Sequence, residues 1–223
     1  MNIERAQPYV CSWSGGKDSA LALWRASRTL GPAATLLTMF TEDAGRSRSH
    51  GLRRDVLAAQ AACMGLPFET ASASWNDYTP VFLDTLRRLR DETGIVAAVF
   101  GDIDLEPHRE WCQRACDEVG IDCVHPLWGE AREALVHECI ESGIEATFVA
   151  VQDGVLPPDL LGRRLDASTL DVLREHGVDA AGEQGEYHTV VTGGPMFRQP
   201  LALDAGARVL RDGYWFLDMS LRG

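Results

Sequence analysis

The chain has 223 residues, a formal net charge of −12 and 45% hydrophobic residues. A chain of this length buries roughly 70–75% of its unfolded surface, so it needs no disulfide or metal to fold. The negative charge argues against a large nucleic-acid interface, because binding to a polyanion depends on lysine and arginine. No apolar run reaches the roughly 20 residues of a membrane span, and the N-terminus lacks the pattern of a signal peptide. These features predict a cytoplasmic protein without a membrane partner.

Short apolar segments alternate with amphipathic helical segments from the N-terminus onward. The predicted strands are Tyr9–Trp13, Thr35–Phe40, Phe68–Ala71, Val96–Phe100 and Thr147–Val151, with a weaker one near Cys123. The predicted helices are Asp18–Leu30, Leu52–Met64, Tyr78–Glu92, Pro107–Val119 and Arg132–Glu141. This alternation predicts an α/β fold over residues 1–151, with a doubly wound, mainly parallel sheet and helices on both faces.

The pattern changes after residue 151. A loop, a short helical piece and a glycine-rich stretch precede a final segment, Ala207–Leu221, which alternates around the turn signal Asp212-Gly213. Residues 152–223 are therefore predicted to form a smaller α+β portion at the edge of the sheet. The aromatic residues Tyr214–Phe216 are expected in the core or in the contact of a homodimer.

The six cysteines include no C-x-x-C pair, so neither a zinc knuckle nor a thioredoxin-like site is indicated. Cys112 and Cys116 lie four residues apart on a predicted helix and share one face. Small buried apolar residues are the favoured interpretation of this pair, ahead of a metal or redox site.

The stretch Ser12–Ser19, S-W-S-G-G-K-D-S, lies between the first strand and the first helix. Gly15 and Gly16 allow a ligand to approach the backbone closely, and N–H groups at the start of a helix attract anions. The serine hydroxyls at positions 12, 14 and 19 add donors. The stretch predicts a phosphate site, with a plain glycine turn as the alternative.

Lys17 is the only lysine in a chain with 20 arginines. It does not belong to a Walker A loop, because Cys11 stands where that motif needs glycine and Asp18 where it needs serine or threonine. A compact ammonium sits among phosphate oxygens where a planar guanidinium is too wide. Lys17 is therefore predicted to contact phosphate.

Residues Ser14–Ser19 match the S-G-G-x-D-S signature, and the chain resembles the PP-loop ATP pyrophosphatases, which have a HUP-type fold. The resemblance implies that Ser12 and residues 14–19 bind ATP and that ATP is cleaved to AMP and pyrophosphate. It also implies a catalytic role for Lys17 in stabilising the departing pyrophosphate.

A second motif narrows the resemblance. Gly182–Thr189, G-E-Q-G-E-Y-H-T, is similar to the G-E-N-G-E-F-H-T signature of the diphthine–ammonia ligase family, and Gly194–Phe197 matches the G-P-x-F that follows it. Gly101–Ile103 and Pro126–Trp128 fall where that family has G-x-I and P-L-W. The resemblance implies an amide-forming ligase that adenylates a carboxylate and aminates it with ammonia. Residues Asp104–Arg109 depart from the family's usual S-x-Y-Q-R, so the resemblance implies the fold and the use of ATP more strongly than the identity of the acceptor.

Ligands of open parallel sheets bind beyond the carboxyl ends of the strands. His50 follows the second strand and Asp102 the fourth, so both are expected at the edge that carries the loop. Met39 and Phe40, with Thr41, are expected to receive adenine. Mg²⁺ is expected at Asp18 or Asp102, with a helix cap as an equal alternative for Asp102.

Residues of the second motif are expected to serve the ammonia step. Glu183, Glu186 and His188 place two acids and an imidazole within six residues, where they would attract ammonium and accept its proton. Gly182, Gly185 and Thr189, together with His50, are expected to bind substrate. An exposed glycine turn is the alternative interpretation.

Two other functions stay open from the sequence. One is a transfer-RNA modifying enzyme of the PP-loop superfamily, and the other is a non-catalytic sensor of adenine nucleotides. The ligase hypothesis implies ATP, Mg²⁺, ammonia and an unidentified carboxylate acceptor, either a small molecule or a modified protein side chain.

Overall fold

A computed structural model describes residues 7–42, 45–47 and 50–223. The N-terminal residues used in the signal-peptide argument lie outside this part. The strands are β1 Tyr9–Ser12, β2 Thr35–Thr41, β3 Phe68–Ala73, β4 Ala97–Val99, β5 Asp122–Val124, β6 Glu145–Gln152, β7 Tyr187–Gly193, β8 Leu203–Arg211 and β9 Tyr214–Leu221. The helices are α1 Lys17–Thr29, α2 Arg54–Met64, α3 Tyr78–Thr93, α4 Glu106–Val119, α5 Arg132–Glu141 and α6 Ala167–Glu175, with a 3₁₀ turn at Pro158–Leu160.

The first sheet is parallel throughout and has the order β3-β2-β1-β4-β5. Leu21 of α1 and Leu57 of α2 pack in one core cluster, whereas Phe82 of α3 and Cys116 of α4 pack in another. Helices therefore cover both faces, and the predicted doubly wound fold is confirmed. The strand order reverses between β1 and β4, which places a ligand crevice beyond the ends of these two strands.

The second sheet is antiparallel and has the order β7-β6-β9-β8. The strand predicted at Thr147–Val151 belongs here, so its assignment to the parallel sheet is wrong. Its residues pair with β7 and β9, for example Phe148 with Thr189 and Ala150 with Phe216. The strand is buried on both faces, and such a strand gives the continuous apolar run that is typical of parallel sheets. The division of the chain into domains at residue 151 stays a prediction.

The last hairpin forms as predicted. Strands β8 and β9 pair antiparallel, and Asp212 and Gly213 both have positive φ, 51° and 78°. Strand β7 is not among the strands predicted from the sequence, because its residues belong to the segment that is predicted only as a glycine-rich stretch.

The two sheets share one hydrophobic core. Trp13 and Leu21, on either side of the Ser14–Ser19 loop, belong to the same buried cluster as Phe148 of β6 and Tyr187 of β7. Helix α1 packs directly against β7. The start of α1 and the second motif are therefore neighbours in space. Among the described residues, no helix is long and apolar enough to cross a membrane.

Candidate active site

The loop Ser14–Ser19 joins β1 to α1 along a path that requires two glycines. Gly15 has φ +83°, and a Cβ there would lie 2.6 Å from Cδ2 of Leu57. A Cβ on Gly16 would overlap Cε1 of His50. Both separations are much shorter than a van der Waals contact, so a side chain at either position would force the loop or its neighbours to move.

The loop presents hydrogen-bond donors at the positive end of α1. Gly16 is the N-cap and has no side chain that could accept the N–H groups of the first helical turn. Its N–H donates to Oγ of Ser14 at 3.3 Å, and the Ser14 hydroxyl donates to Oγ of Ser19 at 3.1 Å. Ser12 ends β1 and is half-buried. Backbone N–H groups at a helix start and nearby hydroxyls suit an anion, so these residues fit the phosphates of ATP.

The ammonium of Lys17 is buried between the loop and the second motif. Its Nζ donates to Oδ2 of Asp18 at 2.8 Å and to the carbonyl oxygen of Ala181 at 2.5 Å, and it lies 4.9 Å from the ring centroid of Tyr187. Burial opposes the charge most strongly, yet Asp18 and Tyr187 together raise the pKa of Lys17 above its ordinary value. The side chain is only 5% exposed. A wider guanidinium would displace these partners, which gives a second physical reason for a lysine here.

Strand β7 is bonded directly to the loop. Oγ1 of Thr189 accepts the N–H of Lys17 at 3.1 Å, across 172 positions of sequence. The N–H of Val191 donates to the carbonyl oxygen of Gly15 at 2.9 Å. The loop and the second motif are therefore parts of one site. Thr189, expected to bind substrate, here holds the loop.

Gln60 of α2 also holds the loop, and the sequence reading missed it. Its fully buried amide donates to the carbonyl oxygens of Gly15 at 3.0 Å and Val191 at 2.6 Å. Its Oε1 accepts the indole N–H of Trp13 at 2.9 Å. The sequence signal for a role of Gln60 is a single amide near the apolar residues Val56, Leu57 and Ala61 of a helix. One polar residue in such a helix is more often exposed than buried, so that signal is weak.

His50 and His188 lie side by side, with ring centroids 4.6 Å apart. Nδ1 of His50 is 2.8 Å from the carbonyl oxygen of Thr189, so Nδ1 carries the proton and Nε2 is left as an acceptor. Burial lowers the pKa of His50, and burial with the neighbouring His50 lowers the pKa of His188 well below its ordinary value. Both imidazoles are therefore neutral at pH 7. The sequence predicts Tyr214 only in the core or in a dimer contact. Its ring centroid lies 6.5 Å from that of His188, so Tyr214 also belongs to this group.

The turn Gly182–Glu186 holds its two carboxylates differently. Glu186 accepts the N–H of Gln184 at 3.0 Å and so braces the turn. Burial, followed by the charge of Asp18, raises the pKa of Glu183 to about 7. Gly182 and Gly185 have positive φ, 65° and 89°. The turn therefore offers one carboxyl group that titrates near neutral pH.

The two acids considered for Mg²⁺ have different surroundings. Asp18 pairs with Lys17 at the start of α1, where a cation bound to phosphate oxygens would lie, and its carboxylate fits that ion. Oδ1 of Asp102 lies 3.3 Å from Nδ1 of His108, and Oδ2 lies 3.8 Å from Nε2 of His125 and 4.0 Å from Sγ of Cys112. Mg²⁺ prefers oxygen ligands, so the nitrogen and sulfur atoms around Asp102 do not suit it.

Residues expected to receive adenine lie at the end of β2. The side chains of Met39 and Phe40 are buried in the core, and the backbone of Phe40 pairs with Ser72 of β3 and with Ser47. Oγ1 of the next residue, Thr41, is buried and has no hydrogen-bond partner among the described residues. A buried hydroxyl without a partner is costly, and an adenine edge would satisfy it.

Two family models match the chain. The diphthamide synthase N-terminal domain covers residues 9–123, and the diphthamide synthase C-terminal domain covers residues 131–221. The chain belongs to the diphthamide synthase family. The predicted family resemblance is thereby confirmed.

Two relatives with sequences similar to the chain are both named diphthine–ammonia ligase. The Bos taurus diphthine–ammonia ligase is 25% identical over 216 residues, which cover 86% of this chain and 81% of that protein. The Rattus norvegicus diphthine–ammonia ligase is 28% identical over 131 residues, which cover 57% of this chain and 49% of that protein. The chain thus matches about half the length of the rat relative.

A crystal structure of a predicted subunit of tRNA methyltransferase from Methanocaldococcus jannaschii is 20% identical to the chain. It superposes with a TM-score of 0.47, over 85% of this chain and 98% of that one.

Proposed function

We propose that the protein is an ATP-dependent carbon–nitrogen ligase, which transfers AMP from ATP to a carboxylate and then replaces the AMP with ammonia. The observation that supports this most directly is the contact between the two motifs. Lys17 donates its backbone N–H to Thr189 and its ammonium to Ala181. The loop that we assign to phosphate therefore contacts the segment that we assign to proton transfer, as two successive half-reactions on one acceptor require.

In the first half-reaction, an oxygen of the acceptor carboxylate bonds to the α-phosphorus. The bond from that phosphorus to the bridging oxygen breaks, and pyrophosphate leaves with the electron pair. We propose that the loop N–H groups and Lys17 stabilise the negative charge on the leaving pyrophosphate. One such donor increases the rate by roughly 10²–10³-fold. Mg²⁺ neutralises phosphate charge when bound, and Asp18 is the residue that we assign to it. Met39, Phe40 and Thr41 are assigned to adenine.

In the second half-reaction, the nitrogen of ammonia bonds to the acyl carbon and the carbon–oxygen bond to AMP breaks. Ammonium must first lose one proton, and the nitrogen loses another as the amide forms. We propose that two groups accept these protons: the carboxylate of Glu183, whose pKa is about 7, and the neutral imidazole of His188. Glu186 stays a predicted third member, although its carboxylate already accepts a bond within the turn.

The third substrate, beside ATP and ammonia, is the acceptor carboxylate. The relatives are named diphthine–ammonia ligases, so we propose diphthine, the modified histidine of translation elongation factor, as the first carboxylate to test. Residues Asp104–Arg109 depart from the family pattern, and another carboxylate remains a distinct outcome of that test.

The experiment combines the protein with Mg²⁺-ATP, ammonium and elongation factor that carries diphthine. We expect AMP and pyrophosphate to form in equal amounts with the amide. Release of ADP and phosphate would contradict the proposal. AMP formation that requires transfer RNA would indicate the RNA-modifying alternative, and ATP binding without turnover on any acceptor would indicate a sensor.

We also propose that the protein acts in the cytoplasm, because its six cysteines are free and a reducing compartment keeps thiols in that state. A homodimer stays a prediction. Sedimentation velocity would separate the 24.5 kDa chain from a dimer of twice that mass.

A further inference from the structure

Three potential metal ligands converge beyond the ends of β4 and β5. Asp102 follows β4, Cys112 lies on α4 and His125 follows β5. One ligand atom from each of these side chains lies within 4.8 Å of the other two. We call these three residues the Asp102–Cys112–His125 cluster. The proposed mechanism uses none of its nitrogen or sulfur atoms.

The imidazole of His125 is buried and contributes one ligand atom to the cluster. Its side chain is 7% exposed, and Nε2 has no hydrogen-bond partner in the described part of the chain. Its Nδ1 lies 3.7 Å from Sγ of Cys123, and its ring stacks on Phe100 with centroids 5.4 Å apart. Nδ1 is therefore placed to carry the proton, which leaves the lone pair of Nε2 directed into the cluster. Buried nitrogen atoms are rarely left without a partner.

The spacing of the three ligand atoms suits one ion. A tetrahedral Zn²⁺ with ligands at about 2.0–2.3 Å holds its ligand atoms about 3.3–3.8 Å from one another. In the cluster, Oδ2 of Asp102 lies 3.8 Å from Nε2 of His125 and 4.0 Å from Sγ of Cys112. Small side-chain movements would therefore close the site.

We propose that the Asp102–Cys112–His125 cluster binds one Zn²⁺ ion. A thiolate, an imidazole and a carboxylate form a borderline-soft ligand set that zinc prefers and magnesium does not. Cys123 is a positioning residue that orients His125 from behind. Three protein ligands leave a fourth position for water or for an oxygen of another molecule.

The test uses Co²⁺ in place of Zn²⁺, because a cobalt–thiolate bond gives a charge-transfer absorption band. Full-length protein freed of metal with a chelator is titrated with Co²⁺, and Zn²⁺ is then added in competition. We expect one ion per chain, a thiolate band with Co²⁺ and loss of that band when Zn²⁺ displaces it. A wild-type protein without the band would overturn the proposal.

Variants then locate the site. Cys112→Ser should abolish the band, and Asp102→Asn should keep it while weakening Zn²⁺ binding by roughly 10-fold or more. Cys123→Ser should keep the band and weaken Zn²⁺ binding by about 10–100-fold, the usual effect of losing an outer partner of a ligand.

Cys63→Ser, at a buried cysteine on α2, is the matched control and should change neither the band nor Zn²⁺ binding. If the band survives Cys112→Ser, or disappears in Cys63→Ser, the assignment is wrong. Asp102→Asn, at a partly exposed side chain, keeps the test decisive if Cys112→Ser fails to fold.

Discussion

The Ser14–Ser19 loop and the Gly182–Glu186 turn lie against each other but are built for different tasks. The loop is held by bonds to its own backbone, from Val191 and Gln60 to Gly15 and from Lys17 to Thr189. The turn instead carries a carboxyl group whose protonation changes near neutral pH, Glu183. A fixed frame suits the binding of phosphate charge, whereas a group that titrates near neutral pH suits proton transfer. Variants in the loop and the turn should therefore fail in different ways.

Lys17→Met should have the largest effect, because it removes the buried positive charge from the loop. We expect AMP formation to fall by roughly 10²–10³-fold, measured as acceptor-dependent release of pyrophosphate. Lys17→Arg should lose nearly as much, since the guanidinium does not fit between Asp18, Ala181 and Tyr187. Arg28→Met, which removes a cation from the far end of α1, is the control. Near-normal turnover by Lys17→Arg would refute the argument from size.

Glu183→Gln should separate the turn from the loop. We expect amide formation to fall by roughly 10²-fold, while acceptor-dependent exchange of pyrophosphate into ATP persists. In the wild type, the rate of amide formation should rise with pH through about 7, where the carboxyl group of Glu183 loses its proton. The variant should lack this rise.

Controls for Glu183 are an exposed acid and the second acid of the turn. Glu175→Gln, at the end of α6, should leave both reactions unchanged. Glu186→Gln tests whether the brace of the turn also accepts a proton. Loss of exchange together with amide formation in Glu183→Gln would place Glu183 in adenylation instead.

Gln60→Leu should weaken the frame of the loop without touching the turn. The substitution leaves the indole N–H of Trp13 buried without its acceptor, which costs roughly 1–3 kcal/mol in the free energy of unfolding. Urea denaturation measures this loss, and the KM for ATP should rise in parallel. Gln113→Leu, at an exposed glutamine on α4, should stay within about 0.5 kcal/mol of the wild type. Equal stability of the two variants would mean that Gln60 does not brace the loop.

The smallest predicted effect is on the pH dependence of stability. Because the folded-state pKa of Glu183 is about 7 rather than 4.5, the folded protein keeps a proton that the unfolded chain releases, so this group lowers stability as pH rises through that window. Glu183→Gln should therefore be more stable than the wild type at pH 8, by about 1 kcal/mol once partial exposure is discounted, and similar at pH 4.5. The two histidines act oppositely, since their lowered pKa values cost stability as pH falls below about 6.5. Urea unfolding at both pH values measures the difference, and a variant less stable at pH 8 would contradict it.

Sequence alone predicted most of the parallel sheet because each strand and helix there carries its own periodic pattern. The pairing partners of β6 could not be predicted, because a strand that is buried on both faces has the same continuous apolar sequence in a parallel and in an antiparallel sheet. Motifs predicted Lys17, Thr189 and Glu183 as candidates. Their contacts depend on how α1 packs against β7. Gln60 reaches the loop from α2 and Tyr214 reaches His188 from β9, and neither residue belongs to a motif.

The bonds from β7 to the loop also bear on how family members can be recombined. The two family models meet between residues 123 and 131, which makes that junction an inviting crossover for chimeras. Yet the N–H of Lys17 donates to Thr189, and the carbonyl oxygen of Gly15 accepts a bond from Val191 besides the one from Gln60. Thr189 and Val191 both lie on β7, beyond the junction. A hybrid of two parents would therefore keep the Ser14–Ser19 loop in this conformation only if the second parent supplies a hydroxyl at position 189 and the same strand register at position 191.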